Sequence, residues 1–151
     1  MATSPLPDRL AAVVAAFRAA PPALALDLLL EQAHRVPPLP DELRAHPDRL
    51  ERVAECQTPF FLATEVDADG RVHLHFDAPE EAPTTRGFAG ILWSGLDGAT
   101  VDEVLSVPLD VADALGLSRA ISPLRLRGMS AILARLQRQV REAAGREAAA
   151  P

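Results

Sequence analysis

The spacing of apolar residues near the start of the chain predicts two amphipathic helices. From Asp8 to Ala20 apolar positions recur every three or four residues, at Leu10, Val13, Val14 and Phe17. A second helix is expected to open at Pro21 and Pro22, because proline is tolerated in a first helical turn. It should end before "RVPPLPDELR", since a residue that precedes proline avoids the α conformation. Its predicted apolar face consists of Leu24, Leu28, Leu29 and Ala33.

The middle of the chain changes to the two-residue period of strands. Phe60 to Val66 is rich in strand-forming residues, and "RVHLHF" after it alternates strictly between apolar and polar positions. Asp69-Gly70 between the two segments is a favoured hairpin turn. A β-hairpin is therefore expected, with Val72, Leu74 and Phe76 on one face of its second strand and Arg71, His73 and His75 on the other.

Helical signals return after the hairpin. Thr84 or Thr85 is predicted to cap a helix through "RGFAGILWSGL", Thr100 to cap one through "VDEVL", and Asp110 to open a short one through "VADALG". Gly87 and Gly90 are interpreted as points of close helix packing. Ser122-Pro123 should begin a last, long helix whose core face is Met129, Ile132, Leu133, Leu136 and Val140.

The order of helices, hairpin and helices predicts an α+β fold, with helices packed on a small antiparallel sheet. A single domain is expected over 8–142, between a frayed N-terminus at 1–7 and a flexible C-terminal tail at 143–151. A chain of 151 residues with 48% hydrophobic residues can bury one such core.

Charge and composition exclude several functional classes. The net charge of -6 argues against nucleic acid, because phosphates would be repelled. No apolar run is long enough for a membrane span or a signal peptide, so no membrane partner is expected. One cysteine permits no internal disulfide, which favours a cytoplasmic location. The chain has no lysine and no tyrosine, which excludes a Schiff-base lysine and a tyrosine acid.

The one cysteine, Cys56, is the main candidate for chemistry. A lone cysteine is usually an inert buried residue. Its place in "ERVAECQTPFFL", between helix-like "PDRLERVAE" and the first predicted strand, instead favours a loop that presents the thiol at the edge of the sheet. The neighbouring Glu55 should raise the thiol pKa, so an arginine or a desolvating partner would have to compensate. The apolar "PFFL" also motivates the hypothesis that the thiol rests buried and is released on docking.

Histidines offer two weaker candidate sites. His73 and His75 share a strand face and could hold a metal, although a solvated polar face is the simpler interpretation. One cysteine and four histidines without a tight cluster predict no metal site. His34 and His46 flank the proline-rich segment, and either could act as a base for Cys56.

Arg125 and Arg127 near the start of the last predicted helix oppose its dipole. This small cost suggests that they pair with Glu80 and Glu81, contact a partner, or are simply solvated.

Four segments, in this order and spacing, carry a family resemblance: "VPPLPDELR", "VAECQTPFFL", "TTRGFAGIL" and "LGLSRAISPLRLRGMSAIL". Together they resemble the SufE-type sulfur-acceptor proteins, the cysteine desulfuration family of iron–sulfur cluster assembly. The resemblance runs from about Leu24 to about Gln139. It implies a SufE-like fold.

The resemblance also implies a function. Cys56 would accept persulfide sulfur from a cysteine desulfurase, which uses pyridoxal phosphate, stimulate that enzyme, and relay the sulfur to an iron–sulfur scaffold complex. The chain itself would bind no cofactor, and the carried group would be the persulfide on Cys56. It would be a sulfurtransferase-type carrier without stand-alone catalysis, as a monomer or weak homodimer. The implied sulfur-acceptor loop adds Glu55, Gln57 and Thr58, and the implied partner-binding residues are Arg125, Gly128, Arg86 and Glu81.

The chain departs from the family pattern beside the cysteine. The family's glycine before the cysteine is Glu55, its serine is Thr58, and its following glutamine is Pro59. Glutamate restricts the loop more than glycine and opposes a thiolate, while proline removes a backbone donor.

Two other functions remain open. The domain could bind and activate a desulfurase without carrying sulfur, as the changes at Glu55 and Pro59 would allow. It could also be an independent thiol peroxidase or hydrolase, with His34 or His46 as the base of a hydrolase.

Overall fold

The fold combines seven helices with a small antiparallel sheet over residues 6–149, which the computed structural model describes. The α+β class predicted from the sequence is confirmed. The helices are α1 (Asp8–Ala19), α2 (Ala25–Ala33), α3 (Asp41–Ala45), α4 (Pro83–Leu96), α5 (Val101–Leu105), α6 (Val111–Ala114) and α7 (Pro123–Ala149). The strands are β1 (Glu51–Arg52), β2 (Phe61–Val66) and β3 (Val72–Asp77).

The sheet has the order β1-β2-β3, and both pairings are antiparallel. The predicted hairpin is confirmed: Leu62 on β2 faces Phe76 on β3, and the turn uses Gly70 at a φ of 77°. As expected, Val72, Leu74 and Phe76 are buried. β1 was not predicted, because "PDRLERVAE" was interpreted as helical. Only two residues pair there, and two residues carry no periodic signal.

Close packing of α2 against α4 depends on two glycines. A Cβ on Gly90 would lie 1.8 Å from the carbonyl oxygen of Gln32, and one on Gly87 would lie 2.5 Å from that of Leu29. Neither contact is possible for a real side chain, so the prediction of close packing at both glycines is confirmed. On α2, Leu29 and Ala33 are buried as expected, but Leu24 is exposed because it lies in a 3-10 turn that precedes the helix.

The predicted helix starts are partly confirmed. The Thr100 hydroxyl accepts a hydrogen bond from the Glu103 amide, and the Glu103 carboxylate accepts one from the Thr100 amide. This reciprocal pair is a capping box, as expected for a helix N-cap. The prediction of Thr84 or Thr85 as a cap is wrong, since α4 begins at Pro83 with Ala82 at the N-cap. Proline provides the first turn without a side-chain cap.

The long helix α7 packs its predicted apolar face on β2 and α5. It opens after Ser122, whose hydroxyl accepts a hydrogen bond from the Arg125 backbone at 3.3 Å. Its core residues Met129, Ile132, Leu133, Leu136 and Val140 are all buried. The helix continues to Ala149, beyond the domain end predicted at residue 142, because alanine, arginine and glutamate are good helix formers.

The two predicted flexible ends are described only in part. Residues 1–5 and 150–151 lie outside the described part of the chain. Leu6 packs against the core, and Ala143 is also buried. Within residues 6–149, no helix has the length and apolar content needed to cross a bilayer.

Candidate functional site

The segment between β1 and β2, residues 53–60, forms a loop that carries the cysteine, here called the thiol loop. The Val53 amide donates to the Phe60 carbonyl oxygen at 2.9 Å and closes the base of the loop. Both residues are fully buried, so the base is anchored in the core. At the tip, the Cys56 amide donates to the Val53 carbonyl oxygen at 3.1 Å. The sequence therefore places Cys56 on a short tip above a fixed base.

The Cys56 side chain lies against the start of α7. The residue is 7% exposed, and its Sγ lies 3.9 Å from the carbonyl oxygen of Gly128. A Cβ on Gly128 would lie 3.4 Å from this sulfur, at the short end of ordinary contact, so the thiol packs directly against the helix backbone. The expectation of a thiol presented at the edge of the sheet is wrong, because the loop folds back onto the helix. The burial part of the other hypothesis is confirmed, whereas release of the thiol on docking stays a prediction.

The surroundings of Cys56 disfavour its thiolate. Burial, and then the negative charge of Glu55, raise the pKa of Cys56 to about 11, against a smaller opposing effect of Arg135. At pH 7 only about one thiol in ten thousand is then ionised. The resting thiol is therefore sheltered and poorly nucleophilic. The expectation that a desolvating partner could compensate for Glu55 is wrong, because desolvation raises the thiol pKa in the same direction as the carboxylate does.

The compensating arginine that Glu55 requires is Arg135 on α7. Its Nη2 donates to Glu55 Oε1 at 2.6 Å, and its Nη1 donates to Glu51 Oε2 at 2.9 Å. The hydrogen bond from Arg135 lowers the pKa of Glu55, and the bonds to Glu55 and Glu51 raise the pKa of Arg135. Arg138 also contacts Glu51. This network ties the thiol loop and β1 to one helix.

Sequence reasoning missed Arg135 and Glu51 as part of the site. The apolar spacing of the last helix puts Arg135 outside its core face and assigns it no role. One signal was available: Arg135 lies seven residues after Gly128, which puts both on the same face of α7 two turns apart.

One cavity of about 290 Å³ brings together seven of the eight residues predicted for the site. They are Glu55, Cys56, Gln57, Thr58, Glu81, Arg125 and Gly128. The remaining walls come from the start of α4 and from Leu124 and Met129 on α7. Glu81 and Arg125 are exposed at the rim. Among the described residues, neither Arg125 nor Arg127 forms an ion pair with Glu80 or Glu81.

Arg86, the eighth predicted residue, does not line this cavity. Its guanidinium donates to the carbonyl oxygens of Ala33 at 3.2 Å and Ala78 at 2.6 Å. These bonds join the start of α4 to the end of α2 and to the exit of β3. In this position Arg86 holds elements together.

The histidines stand apart from the thiol. His73 Nε2 lies 2.7 Å from Asp67, whose hydrogen bond raises the pKa of His73, and His75 lies 3.6 Å from Glu65. No group of three or more histidine, cysteine, aspartate or glutamate side chains within 6–149 is arranged to hold a metal ion. In the same range, neither His34 nor His46 lines the cavity at Cys56.

Fold and site together define a single-thiol α+β domain, with its one cysteine buried between a short loop and a long helix. Comparisons with known proteins agree with this class. A family model described as SufE, the Fe-S metabolism associated domain, matches residues 11–140. The chain belongs to this family.

Several relatives share most of the chain. An uncharacterized SufE-like protein of Mycobacterium tuberculosis is 51% identical over 142 residues, which cover 94% of this chain and 98% of the relative. The sulfur acceptor protein CsdE of Escherichia coli is 30% identical over 105 residues, 69% of this chain and 68% of CsdE. A solution structure of a hypothetical protein from Thermus thermophilus matches with a TM-score of 0.83 and 44% identity, covering 93% of this chain and 99% of that one.

The environment of Cys56 gives a direct prediction for its titration. The thiol should ionise with a pKa near 11, whereas an ordinary cysteine ionises at about 8.5. Ultraviolet absorbance of the thiolate measures this cleanly, since the chain has no tyrosine to add a phenolate signal. Cys56→Ser supplies the baseline. A midpoint at or below the ordinary value would contradict a sheltered thiol.

Proposed function

We propose that this protein is a sulfur acceptor: Cys56 takes persulfide sulfur from a cysteine desulfurase and relays it to an iron–sulfur cluster scaffold. The observation that carries this proposal is the convergence of the chain's one cysteine and six further motif residues on one cavity. Membership of a family associated with Fe–S metabolism supports it. The name of the relative CsdE, a sulfur acceptor protein, supports it further.

The transfer step is a thiol–disulfide exchange in form. Cys56 first loses its proton to solvent, and its thiolate then attacks the outer sulfur of the persulfide on the desulfurase. A new sulfur–sulfur bond forms on Cys56, and the sulfur–sulfur bond of the desulfurase breaks. The desulfurase cysteine leaves as a thiolate, so no external oxidant or reductant is needed in this step.

The single thiol suits carriage. A second cysteine nearby could close a disulfide and expel the sulfur as sulfide. This chain has one cysteine, so it cannot discharge in that way. The outer sulfur must leave to another molecule or to an external reductant, and the scaffold complex is the proposed recipient.

Activation requires that docking change the surroundings of Cys56. Burial is the first cause of its raised pKa and Glu55 the second. If the tip of the thiol loop leaves the cavity, solvation of the thiol removes the first cause. The fixed base at Val53 and Phe60 allows the tip to move without disturbing the core. We propose that the desulfurase triggers this movement and is thereby stimulated.

The rim of the cavity is the proposed docking contact. Arg125 and Glu81 are exposed on opposite segments of it, and Gly128 seats the thiol beneath them. Arg86 is left out of this contact because it lies outside the cavity and its Nε and Nη1 donate to backbone carbonyl oxygens within the fold. The expected cytoplasmic location and the state of monomer or weak homodimer stay predictions.

The second candidate is an activator module that binds the desulfurase without carrying sulfur. The raised pKa of Cys56 and the charge of Glu55 beside it favour this alternative. An independent thiol hydrolase has less support, because the described cavity lacks the histidine base that such an enzyme needs.

Sulfur loading of Cys56 tests the proposal. Incubation with an active cysteine desulfurase and free cysteine should raise the mass of the chain by one sulfur atom, because the Cys56 thiolate attacks the desulfurase persulfide. Intact-mass and peptide mass spectrometry should locate the addition at Cys56. Cys56→Ser should abolish both the addition and the stimulation of sulfide release.

The same assay separates the two candidates. An activator module would retain docking and full stimulation in Cys56→Ala. Absence of added sulfur on the wild-type chain, in the presence of a desulfurase that it stimulates, would reject the carrier.

Two arginines on α7 form a matched pair for the docking contact. Arg125→Ala should slow sulfur transfer at limiting carrier concentration several-fold, because rim charges mainly govern association. Arg127→Ala, also exposed but outside the cavity, should transfer like the wild type. Transfer rates against carrier concentration measure both. An equal decrease in transfer rate in the two variants would show that only the overall charge of the protein matters, and would contradict a specific contact at the rim.

A further inference from the structure

Two glutamates contact Arg135, but they are held very differently. Glu51 lies in β1, its side chain is 29% exposed, and it also receives bonds from Arg138 and Gln139. Glu55 lies at the tip of the thiol loop, and its side chain is 50% exposed. Within residues 6–149, Arg135 is the only side chain that donates to the Glu55 carboxylate. Glu51 would therefore keep side-chain hydrogen bonds if it lost Arg135, whereas Glu55 would lose its one side-chain donor.

The ion pair of Glu55 with Arg135 is the charged link between the loop tip and α7. The other contact across this gap joins the Cys56 thiol to the Gly128 carbonyl oxygen at 3.9 Å, a weak hydrogen bond. The remaining bond at the tip, from the Cys56 amide to Val53, is internal to the loop. Loss of the ion pair would thus leave the tip held to the helix mainly by packing.

We propose that the Glu55–Arg135 pair is a latch that keeps the thiol loop closed, and that docking opens it by exchanging Arg135 for an arginine or lysine of the desulfurase. The identity of the docking protein rests on the proposed function; the latch itself does not. Glu55 then has two roles, as the closing contact in the free protein and as the residue that recognises a cation on the partner.

The exchange is favourable because no charge is left alone. When Glu55 departs, Arg135 keeps its bond to Glu51 at 2.9 Å, so the arginine is not stranded on a half-buried surface. Glu55 gains a partner cation in the same step. That cation also neutralises the charge beside Cys56 that opposes its thiolate.

The carboxylates at this cavity favour a cation on the part of the partner that meets Glu55, whereas Arg125 on the same cavity would meet an acidic group. The half-exposed carboxylate of Glu55 has room for a second donor, since a carboxylate accepts several hydrogen bonds. Glu81 adds a second exposed carboxylate to the same cavity. The net charge of -6 would guide a basic surface toward this chain.

Amide hydrogen exchange tests the latch without any partner. Glu55→Gln and Arg135→Gln should each speed exchange of the Cys56 amide by about two- to fivefold at low salt, as expected for loss of a half-exposed ion pair. About 0.5 M NaCl should speed exchange in the wild type toward the variants, because salt screens the pair. Exchange followed by nuclear magnetic resonance reports loop opening and does not depend on the pKa of the thiol.

Arg138→Gln is the matched control for the latch. Arg138 lies one turn along α7 and contacts Glu51 but not Glu55. It should leave Cys56 exchange unchanged. Unchanged exchange in Glu55→Gln, or equal acceleration in Arg138→Gln, overturns the latch. If Arg135→Gln fails to fold, Glu55→Gln still decides, because its side chain is half exposed.

Desulfurase binding tests the exchange. In a Cys56→Ser background, which removes sulfur transfer, Glu55→Gln should raise the dissociation constant for the desulfurase several-fold. Arg135→Gln should lower it, because Glu55 is then free for the partner. The two variants loosen the same loop but shift docking in opposite directions. Shifts in the same direction overturn the exchange.

The two arms separate this inference from the proposed function. Binding with opposite shifts but no sulfur on wild-type Cys56 rejects the carrier and supports the exchange. Failure of the chain to bind a desulfurase rejects both the exchange and the proposed partner, while amide exchange still decides the latch.

Discussion

The packing of one sulfur atom against the backbone of a helix is the contact on which this site depends. Cys56 lies under α7 at Gly128, where an added Cβ would come to 3.4 Å from the sulfur. The closed β1–β2 base fixes where the loop begins and ends, and α7 forms the surface that receives its tip. The sheet and the long helix therefore position the thiol on a short loop whose two ends are fixed in the core.

The same burial imposes opposite demands on a sulfur carrier. A buried thiol avoids unwanted oxidation and exchange, but its raised pKa makes it a poor nucleophile. A carrier can meet both demands if its reactivity depends on its partner. The polar side of the site fits such a division, since Glu51 in β1 accepts from Arg135, Arg138 and Gln139, whereas Glu55 at the loop tip accepts from Arg135 alone among the described side chains. A permanently exposed thiol would be open to unwanted oxidation and exchange, and a permanently buried thiol could not take part in sulfur transfer.

Local sequence patterns predicted much of the fold. Helical and strand periods identified the main helices and the hairpin, and Gly87 and Gly90 indicated close helix packing without identifying α2 as the partner. Motif order selected seven residues that meet in one cavity, although they come from three separate segments. These features depend on patterns within a few residues or on the family resemblance.

The remaining features depend on contacts between distant residues. β1 exists because Glu51 and Arg52 pair with β2, and the thiol is buried because its loop meets a helix 72 residues away. Arg135 joins the site across 80 residues of sequence. Arg86 could be matched to a motif, but its bonds to Ala33 and Ala78 became visible only in three dimensions.

We propose that the free protein shelters the sulfur carried on Cys56. This claim is tested most directly by the rate at which a thiol reductant releases sulfide from persulfidated Cys56, compared in the native chain and in the same chain unfolded by urea. Release should be several-fold slower in the native chain, because the persulfide lies beneath α7 and opens to solvent only when the loop does. Equal rates in the two states would contradict the account.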